Sequence, residues 1–283
     1  MQEGEALELN WLECLIYGLI SGFAEFFPIS AEGHKTLFLL CLGAPEDPAG
    51  LRLVARLGCL AAVVFSCLTL LVRIRREVRL SRIPKKRRKR PLDVRIMGMR
   101  RLLTVCAVTF TLGAFAMRFL PNFGNKLLIT AIVLAANGVI LYLPLHMPLG
   151  NKDGGVLTGA DGMLIGLGSV ASLLPGFSRV GGTISVGLMR GASRQHMLDV
   201  ALLLSIPALA LLSVFDGIEL VSATAQAQSS GILGSVLCFL AAFGGSCCSI
   251  LAMRFMAVKI GFSSFAYYSW GLALLLFSLY LIV

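Results

Sequence analysis

The sequence predicts an all-α polytopic membrane protein, with six full spans and two re-entrant helical hairpins arranged as an inverted repeat. Three observations carry that prediction. Of 283 residues, 57% are hydrophobic and only 14% are charged. A soluble domain carries about 25% charged residues and needs that polar surface to cover its core. The apolar residues also come in runs long enough to cross about 30 Å of hydrocarbon at about 1.5 Å per residue. Finally, the net charge of +10 is concentrated in one place. Between Arg73 and Arg101 there are 14 Lys or Arg against Glu77 and Asp93, a balance of +12, while the rest of the chain carries 11 basic and 13 acidic residues and sums to −2. A nucleic-acid surface would spread such charge over a soluble body. The run KKRRKR, Lys85 to Arg90, lies instead between two apolar segments, as a cytoplasmic loop under the positive-inside rule does.

The chain reads as one integral membrane domain, 1–283, with a first repeat at about 11–145 and a second at about 161–283. The start, MQEGEALELNWLE, is acidic and lacks the positive region of a secretory signal, so it is expected to stay in the mature chain. Residues 11–43 are apolar but interrupted by FFPISAEGH. Each flank is about 10 to 17 residues, short for a span and suited to a re-entrant hairpin. Span 51–72 follows, then the basic loop 73–101, then spans 102–120 and 126–145. Residues 161–190 repeat the broken pattern around LLPGFSRVGG, and spans 196–214, 232–257 and 265–283 complete the chain. Both breaks carry proline followed by serine, as Pro28-Ile29-Ser30 and Pro175-Gly176-Phe177-Ser178. The eight cysteines lie in apolar runs without metal-type spacing and read as small core residues.

Charge sets an orientation. With loop 73–101 in the cytoplasm, the first hairpin enters and leaves from outside and the second from inside. Both termini are then extracytoplasmic. The exterior side carries Glu3, Glu5, Glu8, Glu46, Asp47, Asp216 and Glu219 against Arg118 and Lys126; the cytoplasmic side carries Lys152, Arg190, Arg194, Arg254 and Lys259. Two hairpins entering from opposite faces can meet near the midplane, where broken helices offer helix ends and free backbone groups to a ligand.

Ionisable groups at membrane depth are functional candidates by default. Glu25 sits in GFAEFFPI, and Ser30, Glu32 and His34 follow within nine residues. Glu25 as a salt-bridged structural carboxyl is the plainer alternative. His34, beside a carboxyl and a serine, suits a nucleophile or a general acid or base. His146 and His196 lack such company and read as loop or interfacial residues. In the second break, Arg179 follows Ser178, and Gly176, Gly181, Gly182 and Thr183 surround a restarting helix. Glycines, hydroxyls, a helix N-terminus and an arginine together favour a phosphate or pyrophosphate.

At these residues the chain resembles the BacA/UppP family of bacterial undecaprenyl pyrophosphate phosphatases. The family's first motif reads approximately EGxTEFLPISSTGH, and Ser21 to His34 here read SGFAEFFPISAEGH. Its second reads approximately PGxSRSGATI, and Pro175 to Ile184 read PGFSRVGGTI. Order, spacing and length agree over nearly the whole chain. The resemblance implies an integral enzyme of the bacterial plasma membrane, often dimeric, that removes the terminal phosphate of undecaprenyl pyrophosphate, recycles the carrier lipid for peptidoglycan synthesis and protects against bacitracin. It also implies support by a divalent cation, Mg²⁺ or Ca²⁺.

The matching site positions are Glu25, Ser30, His34, Ser178 and Arg179. The departures are Ser21 for the first glutamate, Ala31 and Glu32 within SSTGH, Val180 for the serine after SR, and Tyr268-Ser269 for a Tyr-Arg pair. The expected site therefore has Glu25, Ser30, His34 and Arg179 as catalytic groups. Ser178, Arg179, Gly176, Gly181, Gly182 and Thr183 bind the head group, and Glu25 with Glu32 holds a metal. His34 attacks phosphorus, or activates water or Ser30. The alternative function is a catalytically altered paralogue that binds or flips a polyprenyl phosphate lipid. An unrelated small-solute transporter is a weaker third.

Overall fold

A computed structural model describes residues 9–43, 47–119, 126–148, 150–222, 231–259, 262 and 264–282. The acidic start and Glu46, used above to orient the chain, lie outside them.

The chain repeats one helix order: two short helices, then three long ones. In the first half these are α1 (Trp11–Phe26), α2 (Ala31–Cys41), α3 (Ala49–Ser81), α4 (Val94–Met117) and α5 (Lys126–Tyr142). In the second they are α6 (Gly159–Val170), α7 (Arg179–Met189), α8 (Arg194–Ser222), α9 (Gly231–Lys259) and α10 (Phe265–Ile282). Among the described residues six helices, α5 counted with the turn that continues it to His146, are long and apolar enough to cross a membrane, as the hydrophobic runs predict. Large apolar side chains such as Phe65, Leu112, Leu251 and Leu274 cover the outside, the surface a bilayer covers.

Local chemistry sets the helix boundaries. α1 opens with a capping box between Asn10 and Glu13, and α6 opens with the same device between Thr158 and Asp161. Each short helix pair is then broken at its proline, and each second helix restarts on a serine N-cap. Ser30 Oγ accepts from Gly33 N–H and Ser178 Oγ from Gly181 N–H, both at 3.1 Å. At the second break Gly176 has φ +102°, a backbone state other residues rarely adopt.

The basic segment differs from expectation. α3 continues to Ser81 and α4 begins at Val94, so the non-helical connection is much shorter than 73–101. Arg, Leu and Glu are good helix formers, and at 33 residues α3 is about 50 Å long, beyond a bilayer core of about 30 Å. Its charged end therefore needs no loop to leave the hydrocarbon. The connection is folded back by the buried Glu77, which pairs with Arg90 and accepts Asp93 N–H at 3.1 Å.

Packing joins the halves. α1 lies along α9, α6 along α4, α3 along α8 and α5 along α10. The α1–α9 approach uses Gly18 and Gly22, where a Cβ would strike the backbone of Cys238 and Ala242. This is the small-xxx-small geometry of close helices in membranes. Cys14, Cys59, Cys67, Cys106 and Cys238 are buried, as the sequence suggests, whereas Cys41 and Cys248 are exposed; all eight are free thiols. His196 lies in a helix and not in a loop. It is buried in the first turn of α8, its Nε2 without a partner.

Candidate active site

The two breaks touch. Ser178, at the second, donates its hydroxyl to the Phe27 carbonyl of the first at 3.1 Å. Asn137 of α5 accepts the Ser178 N–H at 3.0 Å and donates to Ser269 of α10 at 3.1 Å. A buried polar chain thus ties α5 and α10 to the break. The cap removes Ser178 as a free hydroxyl. It also consumes the Gly181 N–H, and the Gly182 N–H is taken by the Ser178 carbonyl at 2.8 Å.

Arg179 begins α7 and is 6% exposed. Its Nη2 meets Glu25 Oε1 at 2.5 Å, and its buried Nε has no hydrogen-bond partner. Glu25 is therefore in an ion pair, as its plainer reading holds, and the pair lies on the wall of a cavity of about 340 Å³. The same cavity is lined by Glu32, Arg52, Arg56, Arg118, Ser178, Asp216 and Glu219. Thr183 is buried one turn into α7, its hydroxyl without a partner.

His34 is not on that cavity. It lines an apolar groove of about 680 Å³ with Phe23, Phe27, Met256, Phe265 and Tyr268. Ile29, in the first break, lines both spaces. His34 Nδ1 is 2.6 Å from the Ser30 carbonyl. A carbonyl only accepts, so Nδ1 carries the proton and Nε2 is the lone-pair nitrogen. That nitrogen accepts the Tyr268 hydroxyl at 2.5 Å, and the two rings are stacked. Ser30 itself is fully buried (0% exposed), and its hydroxyl serves as the α2 cap. The structure thus brings together Glu25, Glu32, Ser178 and Arg179. His34 faces the groove instead, and Ser30 lines neither space.

Several residues of the cavity escaped the sequence reading. Arg52 pairs with Asp216 at 3.0 Å and Glu219 at 2.6 Å, and Arg56 pairs with Asp216. The buried Lys35 meets Glu32 at 2.7 Å and Asp47 at 3.3 Å, and Asp47 accepts the Tyr17 hydroxyl at 2.5 Å. The signal was available. Arg52 and Arg56 are one helical turn apart at the start of an apolar run, and Asp216 and Glu219 end another; such charges near membrane depth are candidates in their own right.

Among the described residues no three His, Cys, Asp or Glu side chains are gathered to hold a metal. Glu25 and Glu32 line the cavity, but each is already held by a cation. They suit a divalent ion only if substrate phosphates complete its coordination, the usual arrangement for Mg²⁺.

A family model described as bacitracin resistance protein BacA matches residues 14–275. Proteins named undecaprenyl-diphosphatase are similar along much of their length. One from Pseudarthrobacter chlorophenolicus is 33% identical over 201 residues, covering 71% of this chain and 72% of its own. One from Micrococcus luteus is 33% identical over 205 residues, with the same shares. One from Bacteroides fragilis is 26% identical over 262 residues, covering 88% and 89%.

Proposed function

The chain belongs to the BacA family, and from that premise we propose that the Arg179 cavity is where it hydrolyses a polyprenyl pyrophosphate. The protein is a multi-span membrane enzyme, an undecaprenyl-diphosphatase, that releases the terminal phosphate and returns the carrier lipid to cell-wall synthesis. One observation carries the site assignment: a charged cavity and an apolar groove share a wall at Ile29. An amphiphile with a diphosphate head and a prenyl tail needs those two spaces side by side. The head group enters the cavity and the tail follows the groove past Phe23, Phe27 and Phe265.

The reaction is in-line transfer of a phosphoryl group to water. The oxygen of water bonds to the terminal phosphorus, the bond from phosphorus to the bridging oxygen breaks, and the products are inorganic phosphate and the lipid monophosphate. Catalysis then rests on positioning and on charge placed where it develops. Arg179 supplies that charge, and Glu25 holds its guanidinium in place. Glu25 and Glu32 are the carboxylates that would share a divalent cation with the substrate phosphates; the ion would supply further charge neutralisation. His34 stands at the groove side of the break. Once Tyr268 releases it, its Nε2 is the base that takes a proton from the attacking water.

Orientation and assembly belong to the same reading. The basic segment 73–101, which holds the end of α3 and the start of α4, is cytoplasmic, both short helix pairs are re-entrant, the halves form an inverted repeat, and the enzyme is a homodimer. The repeated helix order and the exchange pairing of α1 with α9 and α6 with α4 support the repeat.

The test is phosphate release from undecaprenyl or farnesyl pyrophosphate by the purified protein across a series of divalent metals. Arg179→Ala should lower the rate by about a thousandfold or more, the scale of an arginine that stabilises a phosphoryl transition state. His34→Ala should abolish turnover. Full activity in both variants would sink the site assignment, and lipid binding without phosphate release in any metal would sink the hydrolytic one.

A further inference from the structure

The charged cavity contains a second guanidinium that the mechanism above leaves without a task. Arg56 lies one turn beyond Arg52 on α3. Its Nη1 donates to the Leu212 carbonyl at 3.2 Å and to Asp216 Oδ2. Its Nη2 stands 4.0 Å from Glu32 Oε1, beyond hydrogen-bond reach, and donates to no other described residue. Asp216 does not depend on Arg56, because Arg52 Nε already holds its other oxygen at 3.0 Å. Arg56 therefore has donors to spare on the wall of the cavity that Arg179 also lines.

Charge balance sharpens the point. The cavity is lined by four arginines, Arg52, Arg56, Arg118 and Arg179, and four carboxylates, Glu25, Glu32, Asp216 and Glu219. It presents no net positive field, so a small anion gains little merely by entering. A ligand gains by meeting planar guanidinium donors in charge-assisted, two-pronged bonds. Two such groups with spare donors suit a ligand with two phosphoryl groups. Arg118 is less available, because its guanidinium lies over the Phe215 ring, 4.7 Å from the centroid.

We propose that Arg56 is the second phosphate-binding cation of this cavity, taking one phosphoryl group of the diphosphate while Arg179 takes the other. The site then selects a diphosphate end over a monophosphate end, and the monophosphate product, held by one cation instead of two, leaves. This rests on the assignment of the cavity as the head-group site.

The experiment titrates the purified full chain with methylenediphosphonate, which resists hydrolysis, and with inorganic phosphate. Arg56→Gln should weaken diphosphonate binding by about tenfold or more, the scale of one charge-assisted contact, and phosphate binding by less than about threefold. Arg56→Lys, which keeps the charge but lacks the fork, should fall between wild type and Arg56→Gln and guards against misfolding. Asp216→Asn breaks the same ion pair but leaves Arg56 in the cavity and removes one negative charge from its wall, so it should lose no diphosphonate affinity. The proposal is overturned if Arg56→Gln and Asp216→Asn lose affinity equally, if Arg56→Gln weakens both ligands alike, or if wild type binds neither. A wild type that binds diphosphonate yet releases no phosphate from a prenyl pyrophosphate defeats the hydrolytic reading and leaves Arg56 standing. Turnover by wild type with unchanged diphosphonate binding in Arg56→Gln does the reverse.

Discussion

His34 is the residue whose environment most constrains its chemistry. The Ser30 carbonyl fixes its tautomer and the Tyr268 hydroxyl occupies the nitrogen that would react. A histidine so held is a poor nucleophile until its partner moves. Tyr268→Phe should therefore speed acylation of His34 by diethyl pyrocarbonate severalfold, read at that residue by mass spectrometry. The exposed His146 serves as an internal control whose rate should not change. An unchanged His34 rate would mean that Tyr268 does not restrain it. The sequence made Glu25, His34 and Arg179 visible because charge inside apolar runs is conspicuous. It did not separate them into two compartments, since the break that divides them turns on which way α2 leaves Ile29. Arg52 and Arg56 were overlooked for a related reason. At the end of an apolar run an arginine reads equally well as an interfacial charge, and only the acids of α8 facing it reveal a cavity.

At the scale of elements, the two breaks look alike in sequence and differ in what their serines do. Ser30 caps α2 and its hydroxyl makes no further bond. Ser178 caps α7 and also donates to the Phe27 carbonyl of the other break. Loss of an N-cap serine costs about 1 kcal/mol, and an orphaned buried carbonyl costs about 1 to 3 kcal/mol more. Ser178→Ala should thus lower the thermal unfolding midpoint in detergent clearly further than Ser30→Ala does. Equal shifts would show that the bond between the breaks contributes nothing. Proline, glycine and serine announced both breaks from the sequence alone, because each residue type has a fixed conformational consequence. The bond from Ser178 to the other break was not legible, since Phe27 lies 151 positions away in the chain. The length of α3 was misjudged on similar grounds. Hydropathy stops at the hydrocarbon edge, whereas a helix of arginine, leucine and glutamate has no reason to.

Across the whole molecule, ion pairs sort the chain into two ends. Tyr17, Lys35, Asp47, Arg52, Asp216 and Glu219 are linked at one. Arg95 with Asp153 at 2.7 Å, Arg190 with Asp161 at 2.6 Å and Arg101 with the Leu157 carbonyl at 2.7 Å gather at the other. Residues that charge counting assigned to the exterior, Asp47, Asp216 and Glu219, fall in the first group, and Arg190 falls in the second. The partition was legible because six apolar runs of countable length leave only the choice of starting side. The positive-inside bias makes that choice, with the exposed Lys85, Lys86 and Arg87 turn as its strongest contributor. Under the proposed orientation the Arg179 cavity lies towards the extracytoplasmic end, with Asp47 and Asp216. In a background with the eight native cysteines replaced, Lys86→Cys should react with an impermeant maleimide only after cells are opened. Ser222→Cys, at the exposed end of α8, should react in intact spheroplasts. The opposite pattern would invert the molecule, put the cavity on the cytoplasmic face, and require the substrate head group to be presented from inside the cell.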